Sequence, residues 1–301
     1  MIDFSKNPLI EADWLAAHLT ESNLRIVDTR CWGQGVCRNA FLKGHIPGAV
    51  HLCWHLNLSH AEDGKRYLIP PPARFAAIMM DAGIGDDTLV VAYAQTDHSG
   101  PARLWWALRY YGHDQIAVLN GGLDRWLAGG YGLSTDVTQP RPTEFIAHPQ
   151  PKWLATGAEI DQALRQPRSD ICLVDSRPPE QFSGQALWTP LGSLFFPPGH
   201  NWVDLEGRMM RGGHIPGAVN LPASGNLDPI DHWRYLPPPR LKARALSAGV
   251  KPERRVITYC GAGIVASQSL FALHLAGYPN LALYDASWEE WGTDLTRPVK
   301  L

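Results

Sequence analysis

The heptapeptide Gly44-His45-Ile46-Pro47-Gly48-Ala49-Val50 recurs unchanged as Gly213-His214-Ile215-Pro216-Gly217-Ala218-Val219. An identical run of seven residues at this separation marks a tandem duplication. Other landmarks follow in the same order in both copies. Val27-Asp28-Thr29-Arg30 matches Val174-Asp175-Ser176-Arg177, and Tyr67-Leu68-Ile69-Pro70-Pro71-Pro72 matches Tyr235-Leu236-Pro237-Pro238-Pro239. Ala82-Gly83-Ile84 then matches Ala248-Gly249-Val250, and the stretch Leu119 to Trp126 matches Tyr284 to Trp291. A period this long means two domains and not a solenoid, and each copy is long enough to bury its own core. The proline-rich stretch from Gln139 to Pro151 has no apolar periodicity and reads as a linker. The expected division is residues 1–138, a linker 139–152, and residues 153–301.

Within each copy, β-branched runs such as Leu89-Val90-Val91 and Val256-Ile257 alternate with helical stretches such as Pro72 to Ala82 and Pro101 to Tyr111. That alternation predicts an α/β fold, each copy a central parallel sheet flanked by helices. Ligands on such sheets bind beyond the carboxyl ends of the strands.

Cys260 falls at such an end. Val256-Ile257-Thr258-Tyr259 predicts a short strand, Ser267 to Leu275 a helix, and Cys260-Gly261-Ala262-Gly263-Ile264-Val265-Ala266 the loop between them. The small residues let the loop curl so that its backbone N–H groups face the sulfur. With the helix N-terminus close by, the thiol is expected to be acidic and nucleophilic. In the first copy Tyr93 pairs with Tyr259 and Ala94 stands where Cys260 stands, so that copy is expected to be catalytically silent.

These features together resemble the two-domain rhodanese-family sulfurtransferases: Gly-His-Ile-Pro-Gly-Ala in both halves, Cys-Gly-x-Gly in the second only, and Ser287-Trp288-Glu289-Glu290-Trp291 near the C-terminus. The resemblance implies tandem rhodanese-like domains, an active site in the cleft between them, and a persulfide on Cys260. It implies transfer of a sulfane sulfur from thiosulfate or 3-mercaptopyruvate to cyanide or a thiol. Such ping-pong covalent catalysis calls for no metal and no organic cofactor. The amides of Gly261, Ala262, Gly263, Ile264, Val265 and Ala266 are the expected cradle for the anionic sulfur. The Cys-Gly-x-Gly loop leans toward 3-mercaptopyruvate. However, Ala262 replaces the serine that mercaptopyruvate enzymes carry there, and Gln181 aligns with an arginine they use for the donor carboxylate. Arg177, Arg211, His45 and His200 are the substrate-binding candidates, with Arg208 a further cation nearby. Against Arg177 stands an internal Asp-x-Arg pair, and against His45 a turn shared with the silent copy. A non-catalytic sulfur carrier that docks a partner stays open as the alternative.

A cysteine phosphatase needs an arginine at the end of its loop to grip phosphate, and Ala266 and Ser267 stand there instead. The second copy also carries an apolar insertion over residues 185–203, which either walls the cleft or packs over the domain interface, the latter being favoured. Cys172 reads as a core strand residue. Cys31, Cys37 and Cys53 lack metal-ligand spacing, so no metal is expected, although Cys37 is a redox candidate by position. Net charge is −2 without a basic run, which offers no footprint for nucleic acid or an anionic membrane. No apolar run reaches membrane-spanning length, and five cysteines fit a reducing compartment better than a disulfide framework, so a soluble cytoplasmic protein is expected. Its expected partners are the small sulfur donor and acceptor, with any protein acceptor unknown.

Overall fold

A computed structural model describes residues 3–31, 36–166, 170–189, 192–195, 202–203 and 207–301. The chain forms two compact units. The first comprises Met1–His60, Ile69–Gln150 and Leu227–Tyr235; the second comprises Ala61–Leu68, Pro151–Asn226 and Leu236–Leu301. Each unit thus includes a short hairpin segment from the other copy.

The first unit is built on a five-stranded parallel sheet in the order Leu9–Ile10, Ile116–Leu119, Leu89–Tyr93, Leu24–Asp28, Val50–His51. The second repeats it as Leu154–Ala155, Leu281–Tyr284, Arg255–Tyr259, Ile171–Asp175, Val219–Asn220. The strands Leu89–Tyr93, Ile116–Leu119 and Leu281–Tyr284 are continuous apolar runs, as strands buried on both faces are. Pro72 and Pro238 open the equivalent helices Pro72–Asp81 and Pro238–Ser247, where the missing N–H costs nothing. Thr156 caps Gly157–Leu164 by accepting from the Glu159 amide. Phe4, Leu15, Val91 and Trp126 lie in one core, and Ile160, Ile257, Trp288 and Trp291 in the other. Cys172 is buried on the strand Ile171–Asp175, and burial pushes its thiol up.

The repeated heptapeptide closes the same lock in each unit. Arg177 donates to both oxygens of Asp175 and, through Nη2, to the Gly213 carbonyl at 2.6 Å. Arg30 does the same with Asp28 and with Gly44 at 2.8 Å. The hydroxyls of Tyr93 and Tyr259 accept from the amides of Ile46 and Ile215. Gly48 and Gly217 take φ of 79° and 82°, a conformation open to glycine, and Val50 and Val219 then enter the edge strand. Among the described residues no helix is long and apolar enough to cross a membrane. The expectation of a chain without disulfides is corrected: Cys31 and Cys53 are bonded.

Candidate active site

The strand Arg255–Tyr259 delivers Cys260 to the carboxyl edge of the second sheet, and the helix Ile264–Leu275 begins four residues later. Gly263 makes the return at φ 75°, and a Cβ there would meet Asp285 Oδ1 at 2.7 Å and the Asp285 carbonyl more closely still. The loop is pinned from outside. Ser287 Oγ accepts from the Cys260 amide at 3.1 Å, while the amides of Trp288 and Glu289 donate to the carbonyls of Cys260 and Gly261 at 3.0 and 2.8 Å. From inside, Thr258 Oγ1 donates to the Ala266 carbonyl and Ser267 Oγ to that of Gly263. Of the cradle residues, Gly261, Ala262, Gly263, Ile264 and Ala266 are buried, and Val265 alone is exposed.

The Cys260 residue is 3% exposed. Burial is the largest influence on its thiol and pushes the pKa up; hydrogen bonds from the amides of Ala266, Ala262 and Val265 pull it down, and the Asp175 charge pushes it up again. The balance lies above the ordinary cysteine value, which corrects the expectation of an acidic thiol. These amides favour the anion, but the cost of burying it exceeds what three neutral donors return.

The other site candidates are placed as follows. Arg177 is buried under the loop. Its guanidinium is spent on Asp175 and Gly213, with its carbon 4.2 Å from the Trp288 ring centroid. Burial works against its charge, but Asp175, Tyr259 and Cys260 more than offset this and raise its pKa. Arg211 donates to the carbonyls of Gly292, Trp291, Asp294 and Arg297, which commits it to tying the C-terminal segment. His45 belongs to the first unit, where its two ring nitrogens face the carbonyls of Phe41 and Asp136 and its ring stacks on Phe41 at 3.8 Å. His214 repeats the stacking on Phe182 at 3.7 Å. His200 lies outside the described residues. Within the second unit the structure gathers the Cys260 loop and Arg177, Arg211 ties the C-terminal segment, and His45 belongs to the first unit.

Trp188 and Arg66 were not among the sequence candidates. Trp188, on the hairpin formed by Ala186–Thr189 and Gly192–Phe195, lays its indole edge against Gly261, so this part of the insertion walls the cysteine loop. The hairpin is tied down by Gln181, whose Nε2 donates to Ser193 Oγ at 2.8 Å. Arg66 reaches the second unit through Ala61–Leu68 and pairs with Glu289, as does Arg208 at 3.3 Å. Glu289 is 2% exposed, and its burial raises its pKa despite both arginines. Sequence order hid Arg66, because it lies in the other copy.

The Rhodanese-like domain family matches residues 11–129 and 156–294, and the chain belongs to that family. A "Probable 3-mercaptopyruvate sulfurtransferase" of Pseudomonas aeruginosa is 34% identical over 98% of this chain and 98% of its own length. A thiosulfate sulfurtransferase of Corynebacterium glutamicum is 31% identical over 97% of this chain and 90% of its own. The crystal structure of SseA, a 3-mercaptopyruvate sulfotransferase from Escherichia coli, superimposes with a TM-score of 0.77 at 27% identity, covering 93% of this chain and 98% of that one. The chain is an enzyme of the sulfurtransferase class, as its relatives are.

Proposed function

We propose that the protein carries a sulfane sulfur as a persulfide on Cys260, taking it from 3-mercaptopyruvate or thiosulfate and giving it to cyanide or a thiol. The observation that carries this reading is Cys260, buried at a strand-to-helix turn, with the amides of Ala262, Val265 and Ala266 drawing its thiol pKa down. Such a cradle suits one anionic sulfur, and it stabilises the charge that develops as the donor leaves.

The raised thiol favours 3-mercaptopyruvate. In that reaction the sulfur of Cys260–SH bonds to the donor sulfur, the donor C–S bond breaks, and the proton lost on attack ends on the carbon of the departing pyruvate. The products are Cys260–S–SH and pyruvate, so no standing thiolate is required. Thiosulfate instead needs Cys260–S⁻, which becomes Cys260–S–S⁻ as sulfite leaves. Arg66 and Arg208, gathered on Glu289 beside Gly261, supply positive charge for an anionic donor, in place of the arginine that Gln181 lacks. The reading includes a cytoplasmic setting, where acceptor thiols stay reduced.

The test is the intact mass of the protein and of Cys260→Ser after brief exposure to each donor, with cyanide added afterwards. Gain of one sulfur atom that requires Cys260 and is removed by cyanide is the expected result, faster with 3-mercaptopyruvate. No added sulfur with either donor refutes the assignment.

A further inference from the structure

Cys31, Cys37 and Cys53 come from three separate segments of the first unit: the loop after the strand Leu24–Asp28, the first turn of the helix Val36–Lys43, and the loop after Val50–His51. Their sulfur atoms all lie within 4.8 Å of one another, with Cys31 and Cys53 bonded. Cys37 is 3% and Cys53 2% exposed, and Cys31 is partly open to solvent. The spacing of these residues along the chain concealed the cluster, because the sheet edge and not the sequence brings them together.

The duplication supplies an internal control. Cys31 follows Arg30 as Pro178 follows Arg177, and Cys53 follows Leu52 as Pro222 follows Leu221. The frame is the same in both units: the Leu52 amide donates to the Asp28 carbonyl at 3.0 Å, and the Leu221 amide to that of Asp175 at 2.9 Å. The fold is therefore complete with prolines at both places. Cysteines at these positions are a property of the first unit alone, the unit that has Ala94 where the second has Cys260.

We propose that, once reduced, Cys31, Cys37 and Cys53 form a three-thiolate site for one Cu(I) ion, with the Cys31–Cys53 disulfide as its oxidised, metal-free state. An all-sulfur donor set selects Cu(I) or Zn(II) over harder ions. Zinc in structural sites takes four ligands, and among the described residues this group offers three, which favours Cu(I). Metal–sulfur bonds of about 2.3 Å in a trigonal plane put the sulfurs about 4 Å apart, within the observed spread. Loading requires a dithiol reductant, which passes two electrons and two protons to the Cys31–Cys53 bond and leaves as its own cyclic disulfide. The three thiols then release their protons as the cation binds.

The experiment uses the full chain, reduced anaerobically with dithiothreitol, freed of reductant, and titrated with Cu(I) in competition with bicinchoninate. One Cu(I) per chain is expected in the wild type and in Cys260→Ser, with affinity falling at least tenfold in each of Cys31→Ser, Cys37→Ser and Cys53→Ser. Because a serine variant can also fail to fold, the wild-type protein is alkylated with and without Cu(I), and protection must map to those three cysteines by peptide mass. Cu(I) that depends on Cys260, protection elsewhere, tighter retention of Zn(II) than of Cu(I), or a Cys31–Cys53 bond that resists reduction in the folded chain would each overturn the proposal. None of these readouts depends on sulfur transfer at Cys260.

Discussion

Gly261→Ala separates the steric role of Trp188 from every other property of the cysteine loop. Gly261 is not among the residues with positive φ, so alanine meets no backbone penalty there. Its Cβ would nevertheless overlap Nε1, Cε2 and Cδ1 of Trp188, an overlap that only a shift of the indole or of the loop can relieve. Overpacking of this kind costs about 1–3 kcal/mol. If the loop gives way, a displacement near 1 Å at the reacting sulfur lowers the rate of persulfide formation by roughly 100-fold. If the indole gives way, the hairpin hinges through Gln181 and Ser193 and the loss falls mainly on stability. The assay is a double-mutant cycle of Gly261→Ala, Trp188→Ala and the pair, read both as single-turnover persulfide formation and as the urea midpoint. Trp188→Ala should restore much of what Gly261→Ala removes, with a coupling of about 1–3 kcal/mol. Gly261→Ala behaving as wild type, or additive losses in the pair, would refute the contact as an element of the site. Gly263→Ala is the contrasting control: its clash is with Asp285 and its φ is 75°, so Trp188→Ala should not rescue it.

Because Cys260 is held protonated by burial, persulfide formation from thiosulfate should climb about tenfold per pH unit across neutral pH, while the reaction with 3-mercaptopyruvate stays flatter. The same raised pKa stabilises the fold fully below the unfolded cysteine value of about 8.5, and that contribution is lost as pH rises through the folded value; urea midpoints of wild type and Cys260→Ser should converge there. Asp175→Asn leaves the Arg177 charge buried with a neutral partner and should cost about 3–5 kcal/mol, read by chemical denaturation. A loss below about 1 kcal/mol would show that the Gly213 carbonyl and Trp288 suffice for Arg177.

The sheet, its repetition and the cysteine loop were legible because each rests on short-range features: β-branched runs, a turn that needs glycine, and small residues between strand and helix. The cation set was not. Arg177 and Arg211 look like anion ligands in the chain, yet Asp175 lies two residues from one and the C-terminal carbonyls enclose the other, so the fold uses both charges internally. Arg66 was invisible for the opposite reason, since nothing local to Lys65–Leu68 tells that it will face Glu289. The thiol itself shows the same limit. Motif reasoning counts the N–H groups aimed at a sulfur, but the protonation state depends on how much water the surroundings remove, and that is a property of the assembled unit.

The two copies decide which residues serve the fold and which serve chemistry. Asp28, Arg30, Tyr93 and the first heptapeptide make the same contacts as Asp175, Arg177, Tyr259 and the second, although only one unit has a thiol at the end of its central strand. A contact kept in a unit without that thiol cannot owe its presence to the reaction, so the Asp–Arg–Gly lock is architecture in both. Above that lock the units differ: Cys260 with its loop and the Trp188 hairpin in one, Ala94 and a cluster of three cysteines in the other. The carboxyl edge of one sheet pattern therefore carries two unlike sulfur arrangements. Exchanging the loops alone, with both locks left intact, should carry persulfide formation into the first unit only if the Trp188 contact is moved with them.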